Sequence, residues 1–142
     1  MELTRRRLLS VGGTTGLAAL AGCSGGCVRG LPFVGSGMPN DGEVATDPVD
    51  AVPEDATTID LATLPDPERS LLRTAVEDGV ARVCTTDGGD RADALRSFAD
   101  RVSPESSYLA AGGDHYGLWV RIEDMVFAGT ADPPEGDGNP CC

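Results

Sequence analysis

The sequence predicts an α+β domain with two helices on a small, largely antiparallel sheet, in the order β-α-β-α-β-β-β over residues 57–131. Two observations favour this class. Residues 57–102 alternate short β-branched runs with two segments of helical period, whereas residues 107–128 alternate with period two. Strands and helices followed by hairpin strands are typical of helices packed on an antiparallel sheet.

The first half of this domain is predicted to contain two strands and two helices. Residues 57–61 and 80–84 are rich in β-branched side chains, which indicates strands. Asp66-Pro67 is typical of an N-cap followed by the first helical position, and Gly79 of the left-handed residue after a helix. A second helix begins with Asp90 as its cap. Its apolar face has the spacing i, i+3, i+4, i+7: Leu95, Phe98, Ala99 and Val102.

The second half is predicted to be a set of hairpin strands. Residues 107–110 indicate a strand, residues 112–114 a turn, and Glu123-Asp124 a two-residue turn before a last strand at 125–128. Between the turns, Trp119 and Arg121 share one face of a strand. The opposite face is apolar and consists of Tyr116, Leu118, Val120 and Ile122. Trp119 and Arg121 are candidates for a partner surface, although a large aromatic side chain is also typical of a core covered by a helix.

The N-terminus contains a basic and then weakly apolar segment. Arg5, Arg6 and a third arginine precede an apolar run, Leu8–Leu20, which glycines and threonines dilute and which is too short to span a bilayer. This pattern resembles a twin-arginine (Tat) export signal. The following Leu20-Ala21-Gly22-Cys23 resembles a lipobox, which implies a signal peptide at 1–22 and lipidation of Cys23.

The segments on either side of the domain are poor in apolar periodicity. Residues 23–56 are rich in glycine and proline, become acidic in their second half, and are expected to be a tether from a lipid anchor. Residues 132–142 are predicted to be an irregular tail that ends in two cysteines.

The charge is strongly acidic. All eleven basic residues are arginine, against 23 acidic residues. Without residues 1–22 the chain retains eight arginines and 22 acidic residues, a net charge of −14. This composition resembles that of proteins from halophilic archaea, because concentrated salt screens the mutual repulsion of the carboxylates. The same charge argues against binding to nucleic acid, whose phosphates it would repel.

The domain and its ends also resemble a family. Residues 116–122 (Tyr-Gly-Leu-Trp-Val-Arg-Ile) and the closing Asn139-Pro140-Cys141-Cys142 are similar to those of small haloarchaeal lipoproteins with a Tat signal and a lipobox. The resemblance implies a salt-adapted lipoprotein that faces outside the cytoplasm and is held on the cell membrane through lipid on Cys23. No activity or functional residue follows from it.

The cysteines allow three interpretations besides lipidation. In an oxidising compartment, Cys84 is expected to form a disulfide with Cys141 or Cys142, which would tie the tail to the domain. The second interpretation has no disulfide: Cys84 is a small buried hydrophobic residue and the tail thiols are free. The third is a thiol-based metal-binding or redox protein that uses Cys84, Cys141 and Cys142, although no C-x-x-C pair is present.

No arrangement of residues typical of catalysis is found. His115 lies beside Asp114, but neighbours in a strand or turn usually point apart, and no G-x-S-x-G sequence is present. We therefore expect no catalytic residues, no metal site and no cofactor. The predicted function is that of a non-enzymatic module on the cell membrane, which binds an envelope protein or a small ligand.

Overall fold

The computed structural model describes residues 40–86, 88–136 and 140–141. They form an α+β fold with a six-stranded, mostly antiparallel sheet and two helices, which confirms the predicted fold class. The helices are α1 (Asp66–Asp78) and α2 (Asp90–Ala99), and a 3-10 turn covers Leu61–Thr63. The strands are β1 (Asp41–Val49), β2 (Thr57–Asp60), β3 (Val80–Cys84), β4 (Ser107–Ala111), β5 (Asp114–Ile122) and β6 (Met125–Gly129).

The long strands β1 and β5 are the centre of the sheet. The strand order is β2-β4-β5-β1-β3, and β6 pairs with the second half of β5. Only β2 and β4 are parallel, as expected for two strands joined by a long crossover. Within the described residues, no helix has the length and apolar content needed to span a membrane.

Strand β1 corrects the sequence analysis, which places residues 41–49 in the tether and starts the domain at residue 57. The strand lies between β5 and β3, with Val44 opposite both Val120 and Ala81. The local sequence does not indicate a strand, because two acidic residues and a glycine occupy positions that are buried in the sheet. Pro48 is tolerated because the pairing with β3 ends at Ala45, so that its missing N–H leaves no gap in that ladder.

The two faces of the sheet have different roles. Alternate residues of the central strands, such as Val44 and Leu118, face the helices and form the core with Leu71, Leu95 and Phe98. Both helices therefore lie on one face. The tail after β6 contacts the other, helix-free face, which we call the open face.

Three of the four helix ends follow their sequence signals to within one residue, whereas α2 ends at Ala99, before Val102, which the spacing places on the helix. Gly79 has φ +84° and ends α1, as predicted. Asp66 and Asp90 are the first helical residues rather than the caps, because Pro65 and Gly89 occupy the capping positions. Differences of one residue at a helix end are within the usual variation of boundary assignment.

The chain segment that leaves β6 crosses the open face at Gly117. A Cβ atom on Gly117 would lie 2.6 Å from the carbonyl oxygen of Thr130. Thr130 is held in place because its backbone N–H donates to the Leu118 carbonyl and its hydroxyl donates to the Ser107 carbonyl. Backbone atoms therefore leave no room for a side chain at position 117.

We expect Gly117→Ala to lower the free energy of unfolding by about 2 kcal/mol, since the added methyl group must displace fixed backbone. Chemical denaturation in molar KCl measures this change. Gly113→Ala is not a suitable control, because Gly113 has φ +91°. Ser97→Ala on α2 is the better control and should change the free energy by less than about 0.5 kcal/mol. Equal stability of both variants would contradict the close crossing.

Candidate functional site

A disulfide bond fixes the end of the tail to the open face. Cys84 at the end of β3 is bonded to Cys141, with a Cα–Cα distance of 5.0 Å and a sequence separation of 57 residues. Cys141 is 7% exposed, and its Sγ lies 3.0 Å from the carbonyl oxygen of Asn40. Of the two partners expected for Cys84, the structure pairs Cys141.

A network of ion pairs lies on the same face, beneath the tail. Glu43 on β1 is directly opposite Arg82 on β3 and Arg121 on β5. Its carboxylate accepts from Arg121 Nε at 3.1 Å and lies 3.4 Å from Arg82 Nε. Arg121 also binds the Asp41 carboxylate at 3.1 Å, and Arg82 donates to the Glu135 carbonyl at 3.3 Å. The network therefore connects three strands and the tail.

The protonated form of Arg121 is stabilised in this network. Burial lowers its pKa, but hydrogen bonds and charge attraction from Glu43 and Asp41 raise it more, so the pKa lies above its ordinary value. A raised pKa in the folded state means that the contribution to stability is present below the unfolded pKa. It is lost only in strongly alkaline solution.

The structure places Trp119 and Arg121 on the open face, as the alternation predicts. Arg121 is 20% exposed, and its guanidinium binds two carboxylates and the carbonyl oxygens of Asp41 and Glu123. Trp119 lies between Ala45 and Gly129, away from the helices, and its side chain is half-buried. Its Nε1 is inaccessible to solvent and has no hydrogen-bond partner among the described residues. Arg121 therefore connects β5 to the acidic residues of β1 within the sheet.

A second ionic contact joins the two helices. Glu68 in the first turn of α1 is buried, and Arg101 after α2 binds both of its carboxylate oxygens, at 2.7 and 3.2 Å. The hydrogen bond with Glu68 and its charge raise the pKa of Arg101. A cleft of about 330 Å³ beside this pair is lined mainly by residues from the N-terminal turns of the helices and by Arg101. Two of its charged groups, Glu68 and Arg101, hold the end of α2 against α1.

A groove lies between α2 and the β5–β6 hairpin. Its volume is about 410 Å³, and we call it the hairpin groove. Ile122, Met125 and Phe127 supply apolar side chains, whereas charged residues surround them. Met125 is 61% exposed, and Val126 on the opposite face of the hairpin is 47% exposed. They are the exposed large hydrophobic residues of the described chain.

The local sequence carries no signal for this groove. Residues 125–128 were predicted as a strand, and that strand exists. Its exposure results from a register shift between Val120 and Arg121 and from the position of β6 beyond the end of β4, neither of which leaves a local signal. The acidic residues of β1 were missed for the related reason that their partners are distant in sequence.

Several predicted residues lie outside the described residues. They are the export signal Arg5 and Arg6, the lipidation residue Cys23, and Cys142. For the thiol-based alternative, Cys84 and Cys141 are oxidised to a disulfide and offer no thiolate in this state. In residues 40–86, 88–136 and 140–141, no three His, Cys, Asp or Glu side chains are grouped as a metal site would require.

Comparisons with protein-family models, curated proteins and solved structures find no match for the chain.

Proposed function

We propose that the protein is an exported lipoprotein whose α+β domain acts as a non-enzymatic binding module on the outer side of the cell membrane. The observation that carries this proposal is the Cys84–Cys141 disulfide. Disulfides of this kind persist in oxidising compartments and are rare in the cytosol. A disulfide-closed domain is therefore consistent with the twin arginines and the lipobox at the N-terminus.

The described polar groups support a binding module rather than an enzyme. Each buried Asp, Glu, Ser and Thr side chain of the described domain takes part in a hydrogen bond or ion pair that holds the fold. The carboxylates of Asp41, Glu43 and Glu68 bind arginines. Thr46 donates to the Ala75 carbonyl, Thr85 donates to the Asn40 carbonyl, and Ser107 accepts from the Ser103 N–H. An enzyme instead needs a base or nucleophile that faces a substrate.

The anchor is tested by expression of the full chain and of Cys23→Ser in a halophilic archaeal host. We expect the parent chain in the membrane fraction, with an intact mass that fits a lipid-modified chain beginning at Cys23. Cys23→Ser should leave the membrane, because the lipid is the proposed attachment. Cys27→Ser changes the next cysteine along the chain. It is the matched control and should remain membrane-bound. An unprocessed, soluble parent chain would reject the anchor.

The oxidation of the cysteines, which an oxidising compartment implies, is tested separately by thiol labelling. Cys84 and Cys141 should react with a membrane-permeant label only after reduction. Replacement of Arg5 and Arg6 by lysine should keep the chain unprocessed inside the cell, because the export machinery reads the paired arginines. Normal processing of that variant would exclude the twin-arginine route.

A further inference from the structure

We propose that the outer edge of β6, together with the hairpin groove, binds an extended segment of a partner protein, which adds as a strand and carries an apolar side chain flanked by basic residues. This inference rests on the proposed binding function and names its surface and its partner. Three observations carry it: the backbone geometry of β6, the apolar side chains beside it, and the charge at the rim of the groove.

The backbone of β6 has an open side at Val126. In the two-residue hairpin, Ile122 pairs with Met125 and Arg121 with Val126. The pair next to such a turn is hydrogen-bonded and the following pair is not, so the N–H and C=O of Val126 point away from β5. At the far end of the same edge, the Gly129 N–H already donates to the Pro104 carbonyl. No bond between Val126 and another element is found among the described residues.

The side chains next to this edge suit a strand partner. Met125 is 61% exposed and lies with Ile122 and Phe127 in the hairpin groove. Val126 is 47% exposed on the other face. An added strand presents alternate side chains to the two faces, so one of them can enter the groove while backbone hydrogen bonds form with Val126. An open edge with exposed apolar residues favours pairing with another chain.

The rim of the hairpin groove determines the charge of the partner. Asp100, Glu123 and Asp124 contribute three carboxylates. Arg96 is the cation among the lining residues, and it is bound to the Asp93 carboxylate and the Thr85 carbonyl. The rim is therefore negative, which favours a segment with arginine or lysine beside its apolar residue. A second copy of this acidic chain would bring like charges together.

The first test uses the full chain as the expression host produces it, with or without lipid on Cys23, in molar KCl, and the blocked peptide acetyl-Arg-Val-Leu-Val-Arg-amide. Titration calorimetry measures its affinity, and hydrogen–deuterium exchange locates it. We expect slower amide exchange in residues 125–129. A peptide that is N-methylated at alternate residues should bind about tenfold more weakly, because it cannot form the ladder. Protection elsewhere, or none, would overturn the proposal.

Two pairs of variants test the backbone edge at residue 126 and the local charge of the groove rim separately. Val126→Pro removes the outward N–H and should weaken binding about tenfold, whereas Val126→Thr should bind nearly as the parent. Asp124→Arg should weaken binding about threefold, as expected for one exposed charge pair. Asp47→Arg makes the same charge change at the far end of β1 and should leave the affinity unchanged. Equal effects of Asp124→Arg and Asp47→Arg would overturn the charge argument.

Two other occupants of the β6 edge, a second copy of the chain and a lipid surface, give different results in the same measurements. Concentration-dependent dimerisation that Val126→Pro abolishes would identify a second copy and overturn the proposal. In the full Cys23→Ser chain without detergent, protection of residues 125–129 by vesicles of anionic archaeal lipid, without protection by the peptide, would identify a lipid surface and also overturn it. Neither result depends on processing at Cys23. Failure of the peptide test thus leaves the anchor standing, and failure of the anchor test leaves the peptide result valid.

Discussion

Loss of the Cys84–Cys141 bond is expected to lower the free energy of unfolding by about 4 kcal/mol, because the bond closes a loop that is 57 residues long in sequence separation. Without it, the unfolded chain gains conformational entropy and the tail is released from the open face. Small domains have a net stability of about 5–15 kcal/mol, so this loss is a large fraction of the total. Denaturant titration in molar KCl, with and without reductant, measures it.

The informative variant for this prediction is Cys84→Ala. It removes the cysteine common to both pairings that the sequence allows, so Cys142 cannot replace Cys141. We expect Cys84→Ala to unfold at the same midpoint as the reduced parent chain and to be insensitive to reductant. Cys142→Ala is the matched control and should unfold like the oxidised parent. Loss of stability in Cys142→Ala would instead assign the bond to that residue.

The fold was predictable where the signals are local. Gly79, in the left-handed conformation, ends α1, and the alternation around Trp119 places it on the face opposite Leu118. These features depend on backbone preferences and on period-two geometry within a few residues. The two helices and five of the six strands were therefore found from the sequence.

Strand β1 could not be predicted in this way. Glu43 is separated from Arg121 by 78 residues, and each becomes acceptable in the sheet only because the other is there. A segment rich in acidic residues and glycine is typical of a tether when it is considered alone. The pairing of Cys84 is similar. The sequence favours Cys141 or Cys142 as its partner, but the choice depends on how the tail crosses the open face.

The candidate surface was also beyond local inference. The sequence directed attention to Trp119 and Arg121 because a polar-side tryptophan and arginine are unusual on a strand. The structure uses Arg121 for ion pairing beneath the tail, whereas Met125 and Val126 are left exposed. Exposure depends on which element ends beside which other element, and that information is contained only in the assembled sheet.

Replacement of Arg121 by methionine is expected to lower the free energy of unfolding by about 3 kcal/mol. The variant keeps a long apolar side chain but removes the positive charge that two carboxylates share. The side chains of Asp41 and Glu43 are only 10% and 11% exposed. Without Arg121, their negative charges would remain beneath the tail with less positive charge to balance them. Removal of one partner from a buried ion pair typically costs about 3–5 kcal/mol, and the partial exposure of Arg121 favours the lower end. Denaturant titration in molar KCl measures the change.

Two comparisons isolate the charge of Arg121 from its packing. Arg91→Met makes the same substitution at an exposed position on α2 and should change the free energy of unfolding by less than about 0.5 kcal/mol. In the second comparison, Asp41→Asn and Glu43→Gln are added to Arg121→Met. This triple variant should recover part of the lost stability, because neutral amides cost less to bury than unpaired carboxylates. If Arg121→Met were no more destabilising than Arg91→Met, the network would be a consequence of the tail's position rather than a reason for it.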